Sequence, residues 1–238
     1  MPGIDRNPKE EYSKNHIPGA IFFDLDKNSD QDTDLPHMLP TKEKWEEIVS
    51  SMGISNTDRI VIYDNSDVLS SCRGWYNFIY FGHDKHQVSV LDGGLKKRWI
   101  ENSKRTSEKT ILNNSTYRAT ENKNLVKSII EINENIEQKN FTIIDARSKE
   151  RFNGSVPDPR KNVRSGSIPN SVCLPFKEII NSSDNTFKGV SEISKKFSEI
   201  IDLNDDKRVF SCGSGITACV LGLAYSLVNN TYSPTVYD

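Results

Sequence analysis

The stretch RVFSCGSGITAC, Arg208 to Cys219, holds the residue types from which a thiolate nucleophile is made. An apolar run ends at Cys212. Gly213, Ser214 and Gly215 follow, and Ile216 leads into a helical pattern in which Thr217 is the expected opening residue. Where a strand ends at a crossover in a parallel α/β sheet, the crevice beyond its carboxyl end is the usual ligand site. A Gly-Ser-Gly turn can fold back with its N–H groups pointing inward, and the N-terminus of the next helix adds positive potential at the same spot. That environment suits an anion and favours the thiolate of a cysteine, its nucleophilic form.

The plain alternative is packing, because free cysteine is among the most buried residue types. Cys173 inside SVCLPF, Cys219 on the same helix face as Leu223, and Cys72 all fit that reading. Other nucleophile chemistries fail on position. A cysteine-dependent phosphatase needs an arginine six residues after its nucleophile, where Ala218 stands; a serine-hydrolase elbow needs a glycine two residues before its serine, where Cys212 stands. A Gly-Ser-Gly triplet alone is too common to signal a nucleotide site.

The elements that must position Cys212 occur twice. HIPGAIFFDLD (His16 to Asp26) and SIPNSVCLPF (Ser167 to Phe176) share an Ile-Pro turn and a strand-like run. DRIVIYDNS (Asp58 to Ser66) and KRVFSCGSG (Lys207 to Gly215) share a strand and an abrupt turn, at an offset of about 150 residues that predicts a tandem duplication. Before the first of these strands, TKEKWEEIVSSMG has a Thr41 cap, helical spacing of Trp45, Ile48, Val49 and Met52, and a Gly53 stop. VSEISKKFSEI occupies the same place before RVFSC. Strands alternating with helices predict an α/β fold of two tandem domains, each a parallel sheet flanked by helices.

Residues 1–105 form the expected first domain, 106–123 a polar linker and 124–238 the second domain. Asp64 stands in the first copy where Cys212 stands in the second, so the first is expected to be catalytically silent. The strand FTIIDAR (Phe141 to Arg147) has no counterpart ahead of the first Ile-Pro turn, and PTVYD stops where the first copy continues VSVLDGGLKKRWI. Both ends are therefore expected to be truncated relative to a full repeat.

Composition excludes several classes. Of 238 residues, 31 are basic and 33 acidic, dispersed along the chain to a net charge of −2, which argues against a nucleic-acid partner. No apolar stretch reaches membrane-spanning length and the opening residues lack a signal-peptide core, so the expectation is no membrane and a cytoplasmic location. Four cysteines without a C-x-x-C pair argue against disulfides and against a zinc site. His16 is expected to be a turn residue, and His83 and His86 to lie in a polar connection.

HIPGAIFFDLD, LPHMLP, VLDGGL, IIDARSKERFNG, PDPR and CGSGITAC, in this order, resemble the two-domain rhodanese-type sulfurtransferases, most closely those acting on 3-mercaptopyruvate. The resemblance covers almost the whole chain and implies two rhodanese domains, each a five-stranded parallel sheet, with the site in the cleft between them. It implies transfer of a sulfane sulfur through a persulfide on Cys212, with release of pyruvate and without a metal or organic cofactor. The implied partners are a small-molecule sulfur donor and a thiol acceptor such as thioredoxin, with cyanide as a laboratory acceptor.

The resemblance also assigns roles. Arg151 and Arg160 would grip the carboxylate and ketone oxygens of the substrate. Gly213, Gly215, Ile216 and Thr217 would line it through the loop and helix start. Asp26, His37 and Ser214 would relay a proton. Thiosulfate-specific relatives place basic residues directly after the cysteine, whereas Gly213 and Ser214 make a neutral loop here. Two readings stay open beside the mercaptopyruvate enzyme: a thiosulfate:cyanide sulfurtransferase, and a non-enzymatic rhodanese module. The chain departs from the family at SIPN, which lacks the usual His and Gly, and at its end, where a segment rich in Trp and Gly would follow VYD.

Overall fold

A computed structural model describes residues 6–159, 164–205 and 207–238 of the chain. The first copy comprises α1 (Pro8–Lys14), α2 (Lys42–Ser51), β1 (Ile60–Ile62), α3 (Ser71–Tyr80), β2 (Val88–Val90) and α4 (Gly94–Ile100). The second comprises β3 (Val126–Lys127), α5 (Ile129–Gln138), β4 (Thr142–Asp145), α6 (Lys149–Phe152), β5 (Val172–Cys173), α7 (Val190–Ser198), β6 (Arg208–Ser211), α8 (Ile216–Val228) and β7 (Val236–Tyr237).

Local chemistry accounts for the boundaries. The Thr41 side chain accepts from the Lys44 N–H and starts α2, whose Trp45, Ile48 and Val49 are buried on one face. Ser128 and Glu131 form a reciprocal capping box at the start of α5. In α7, Ile193 and Phe197 recur one turn apart and both are fully buried. The helix after Cys212 starts at Ile216, one residue before the expected Thr217, because Gly215 takes a left-handed conformation (φ 72°) and itself ends the turn out of the strand.

The second copy is a five-stranded parallel sheet of order β3-β7-β6-β4-β5. Among the described residues the first copy has two parallel strands, β1 and β2, fewer than the five the family resemblance implied. Residues 20–24, strand-like in sequence, join no ladder: their counterpart β5 pairs with β4, and no described strand fills the place of β4 in the first copy. Ala20 O instead accepts from Tyr12 Oη at 2.6 Å and Thr110 Oγ1 at 2.7 Å.

One apolar core runs through both copies, with α3 packed directly on α8. The polar segment between the copies lies as a strap on the first. Tyr117 and Ala119 are buried, and Thr120 N–H donates to Phe81 O at 3.0 Å. Among the described residues no helix is long and apolar enough to cross a membrane.

Candidate active site

β4 and β6 lie side by side, with Asp145 opposite Ser211 in register. From β4 the chain passes to β5 on one side, and from β6 to β7 on the other, so the connections diverge between them. This is the switch point at which open α/β sheets leave a crevice beyond their strand ends. Cys212, half-buried, leaves β6 into that crevice, and Arg147 lies just beyond the end of β4. The first N–H groups of α8 point out of its N-terminus toward the same end of the sheet.

Arg147 is held on three sides. Its Nε and Nη2 donate to Asp145, the latter at 2.6 Å from Oδ2, Nη2 also donates to Gly166 O at 2.7 Å, and Nη1 lies 3.8 Å from Asp158 Oδ2. Burial would lower its pKa, but Asp145 and Asp158, with Cys212 in electrostatic reach, raise it above the ordinary value. A positive charge within electrostatic reach of Cys212 is therefore fixed. Asp158, its side chain almost wholly buried, also pairs with Arg151 Nη2. Arg151 comes from α6, started by the Ser148 cap, and keeps 24% of its side chain exposed. Arg160 lies outside the described residues.

From the first copy, His37 Nε2 donates to Asp26 Oδ1 at 2.7 Å. Asp26 is mostly exposed and the His37 side chain mostly covered. His37 is itself left-handed (φ 64°), and its carbonyl accepts from Arg73 Nη2 at 2.7 Å. Nη1 of the same guanidinium lies against the loop after Cys212, where a Cβ on Gly215 would collide with it. The His37 turn and the loop after Cys212 are thus brought together around one side chain. Gly213, Ser214 and Thr217 are half-buried, and Ile216 is buried, 8% exposed.

The remaining candidates settle into structural roles. Burial pushes the Cys219 thiol up to about 12, with Arg73 pulling the other way, and its Sγ donates to Gly215 O at 3.0 Å. Burial also pushes Cys173 up to about 11 and Cys72 well above its ordinary value. In the first copy Asp64 takes the place that Cys212 has in the second. Burial raises its pKa while Ser71 N–H, at 2.8 Å, and Ser70 Oγ, at 3.1 Å, donate to its carboxylate. His16 is buried and bridges Tyr12 O and Glu108 O. His83, expected in a polar connection, is instead buried against Tyr117, because both ring nitrogens find partners in Tyr117 Oη and Asp58 O.

The model of the rhodanese-like domain matches residues 3–101 and again 128–238. The chain belongs to the rhodanese-like family. Among curated relatives, this rhodanese-like chain is 40% identical over its whole length to thiosulfate/3-mercaptopyruvate sulfurtransferase 1, mitochondrial, of Arabidopsis thaliana, covering 67% of that protein. It is 36% identical, again over its whole length, to the 3-mercaptopyruvate sulfurtransferase of Homo sapiens, covering 80% of it. Its fold superposes on the crystal structure of SseA, a 3-mercaptopyruvate enzyme of Escherichia coli, with a TM-score of 0.86 at 30% identity over 99% of this chain and 86% of that one.

Sequence reasoning missed four charged residues of this rhodanese-like site: Arg73, Arg147, Asp158 and Asp238. Arg73 had a signal, since an arginine within SCRGWYNFIY stands on a helix otherwise rich in apolar and aromatic residues. Arg147 had one too, two residues beyond Asp145 at the end of a core strand. Asp158 sits in a polar loop that carries no such mark, and Asp238 directly follows β7.

Proposed function

We propose that the protein is a 3-mercaptopyruvate sulfurtransferase in which Cys212 carries the sulfur. The observation that carries this reading is the placement of Cys212 at the switch point, between the fixed charge of Arg147 and the N-terminus of α8. The Cys212 thiolate attacks the sulfur of the substrate. An S–S bond forms, the C–S bond breaks, and its electron pair stays on carbon as the enolate of pyruvate. The proton that the substrate thiol brought is the one the enolate carbon gains, leaving an anionic persulfide and pyruvate. His37, oriented by Asp26, and Ser214 carry that proton. The loop N–H groups and helix dipole hold the persulfide until a thiol, such as that of thioredoxin, or cyanide takes the terminal sulfur.

Arg151 grips the substrate carboxylate, with Arg160 as its expected partner. Gly213 and Ser214 leave the loop neutral, which favours a donor whose charge is bound elsewhere over dianionic thiosulfate. Thiosulfate transfer is the second reading, favoured by 34% identity to a thiosulfate sulfurtransferase of Bos taurus. The test follows pyruvate from 3-mercaptopyruvate and thiocyanate from thiosulfate plus cyanide, with Cys212→Ser as control. Preference for mercaptopyruvate that the substitution abolishes supports the reading, preference for thiosulfate replaces it with the second, and inactivity with both donors leaves a binding module. The cytoplasm is the proposed location.

A further inference from the structure

Arg73 is fully buried within α3 of the first copy, a helix all of whose residues are buried. A guanidinium in such a place is costly unless its donors and its charge are met. Asp238, directly after β7 of the second copy, meets them in bidentate fashion: Nη1 to Oδ1 at 2.6 Å and Nη2 to Oδ2 at 2.8 Å. Burial alone would lower the Arg73 pKa, and Asp238 more than offsets that. The pair does more than neutralise itself. Arg73 Nη2 also donates to His37 O at 2.7 Å, and Asp238 Oδ2 accepts from Leu39 N–H at 3.1 Å. The ion pair therefore clamps the His37-to-Leu39 turn at both ends, with one residue from each copy.

Two further features fit a clamp. His37 holds a left-handed backbone without being glycine, a conformation that persists only where surroundings over-determine it. Gly215, just past the nucleophile, abuts the same pair: its missing Cβ would strike Arg73 Nη1 and fall 2.6 Å from Asp238 Oδ1. The pair thus holds the His37 turn by hydrogen bonds and packs closely against the Cys212 loop at Gly215.

We propose that Arg73 and Asp238 are positioning residues for sulfur transfer, holding His37 of the silent copy in register with the Cys212 loop of the active one. The inference rests on the proton-relay role of His37 in the proposed function. Both act through His37, whose turn they hold.

A double-mutant cycle on purified protein tests this, reading kcat and KM for pyruvate release from 3-mercaptopyruvate. Arg73→Lys keeps the charge and loses the fork, and Asp238→Asn keeps the shape and loses the charge, so one serves where the other fails to fold as judged by circular dichroism. Each is expected to lower kcat by about tenfold or more with KM little changed, the size of effect that a small misplacement produces. In a His37→Ala background the same substitutions are expected to cost almost nothing further, since there is no longer an imidazole to position. Full additivity of the two losses would overturn the positioning role while leaving the relay intact. A His37→Ala enzyme as fast as the parent would remove the relay reading, and the proposal with it.

Discussion

His37 Nε2 donates to Asp26 Oδ1 at 2.7 Å in the copy of the fold that has Asp64 in place of a nucleophile. The first copy thus holds the His37–Asp26 pair and the second the cysteine. Substituting His37 by Ala is expected to lower kcat for pyruvate formation by about a hundredfold or more, the usual contribution of a positioned general acid or base. Asp26→Asn is expected to do the same to a smaller degree. Transfer from thiosulfate to cyanide, which protonates no carbon, should be nearly unchanged, and steady-state rates with both donors check this.

Arg151 is expected to act on binding. Its guanidinium pairs with Asp158 and keeps an exposed portion of its side chain to meet a carboxylate. Arg151→Lys loses the fork, and KM for 3-mercaptopyruvate should rise about tenfold to a hundredfold with kcat little changed, as for the loss of a charged hydrogen bond. A fall in kcat at constant KM would assign Arg151 to the chemical step instead.

Gly215 meets two constraints, a φ of 72° and direct contact with the Arg73–Asp238 pair. Gly215→Ala is expected to lower the stability of the protein by about 1–3 kcal/mol from backbone strain alone. Denaturant unfolding measures that loss. Gly166 also has a positive φ but has open space around it, so its alanine variant should be milder.

The buried Cys219 thiol gives a pH signature. Its folded pKa, about 12, lies above the ordinary 9.0. Below pH 9 both states hold the proton and the thiol's contribution to stability is fully present. Above it the unfolded chain ionises first, and stability falls by about 1 kcal/mol per pH unit up to the folded pKa. Cys219→Ala should flatten that alkaline decline in urea midpoints. A decline of unchanged slope would contradict the assigned environment.

Much of the architecture was legible because it is written in local rules. Thr41 caps its helix, Ile193 and Phe197 keep their helical spacing, and the strand-to-helix turn at Cys212 is where the Gly-Ser-Gly pattern puts it. What escaped depends on distance along the chain. Asp238 lies 165 residues from Arg73, and no local pattern links them. His83 reads as a loop histidine until Tyr117, from the strap between the copies, stacks on it. Residues 20–24 look like a strand because a short apolar run follows the Ile-Pro turn, yet a strand needs a neighbour, and sequence alone does not supply it.

Mass spectrometry of the protein after incubation with 3-mercaptopyruvate, with no sulfur acceptor present, addresses the role of Cys212 without reliance on turnover. One added sulfur atom is expected on the peptide that carries Cys212, with pyruvate released in equal amount, and none on the Cys212→Ser protein. Sulfur on Cys72, Cys173 or Cys219 instead, or pyruvate released while Cys212 gains nothing, would contradict the assignment of Cys212 as the sulfur carrier.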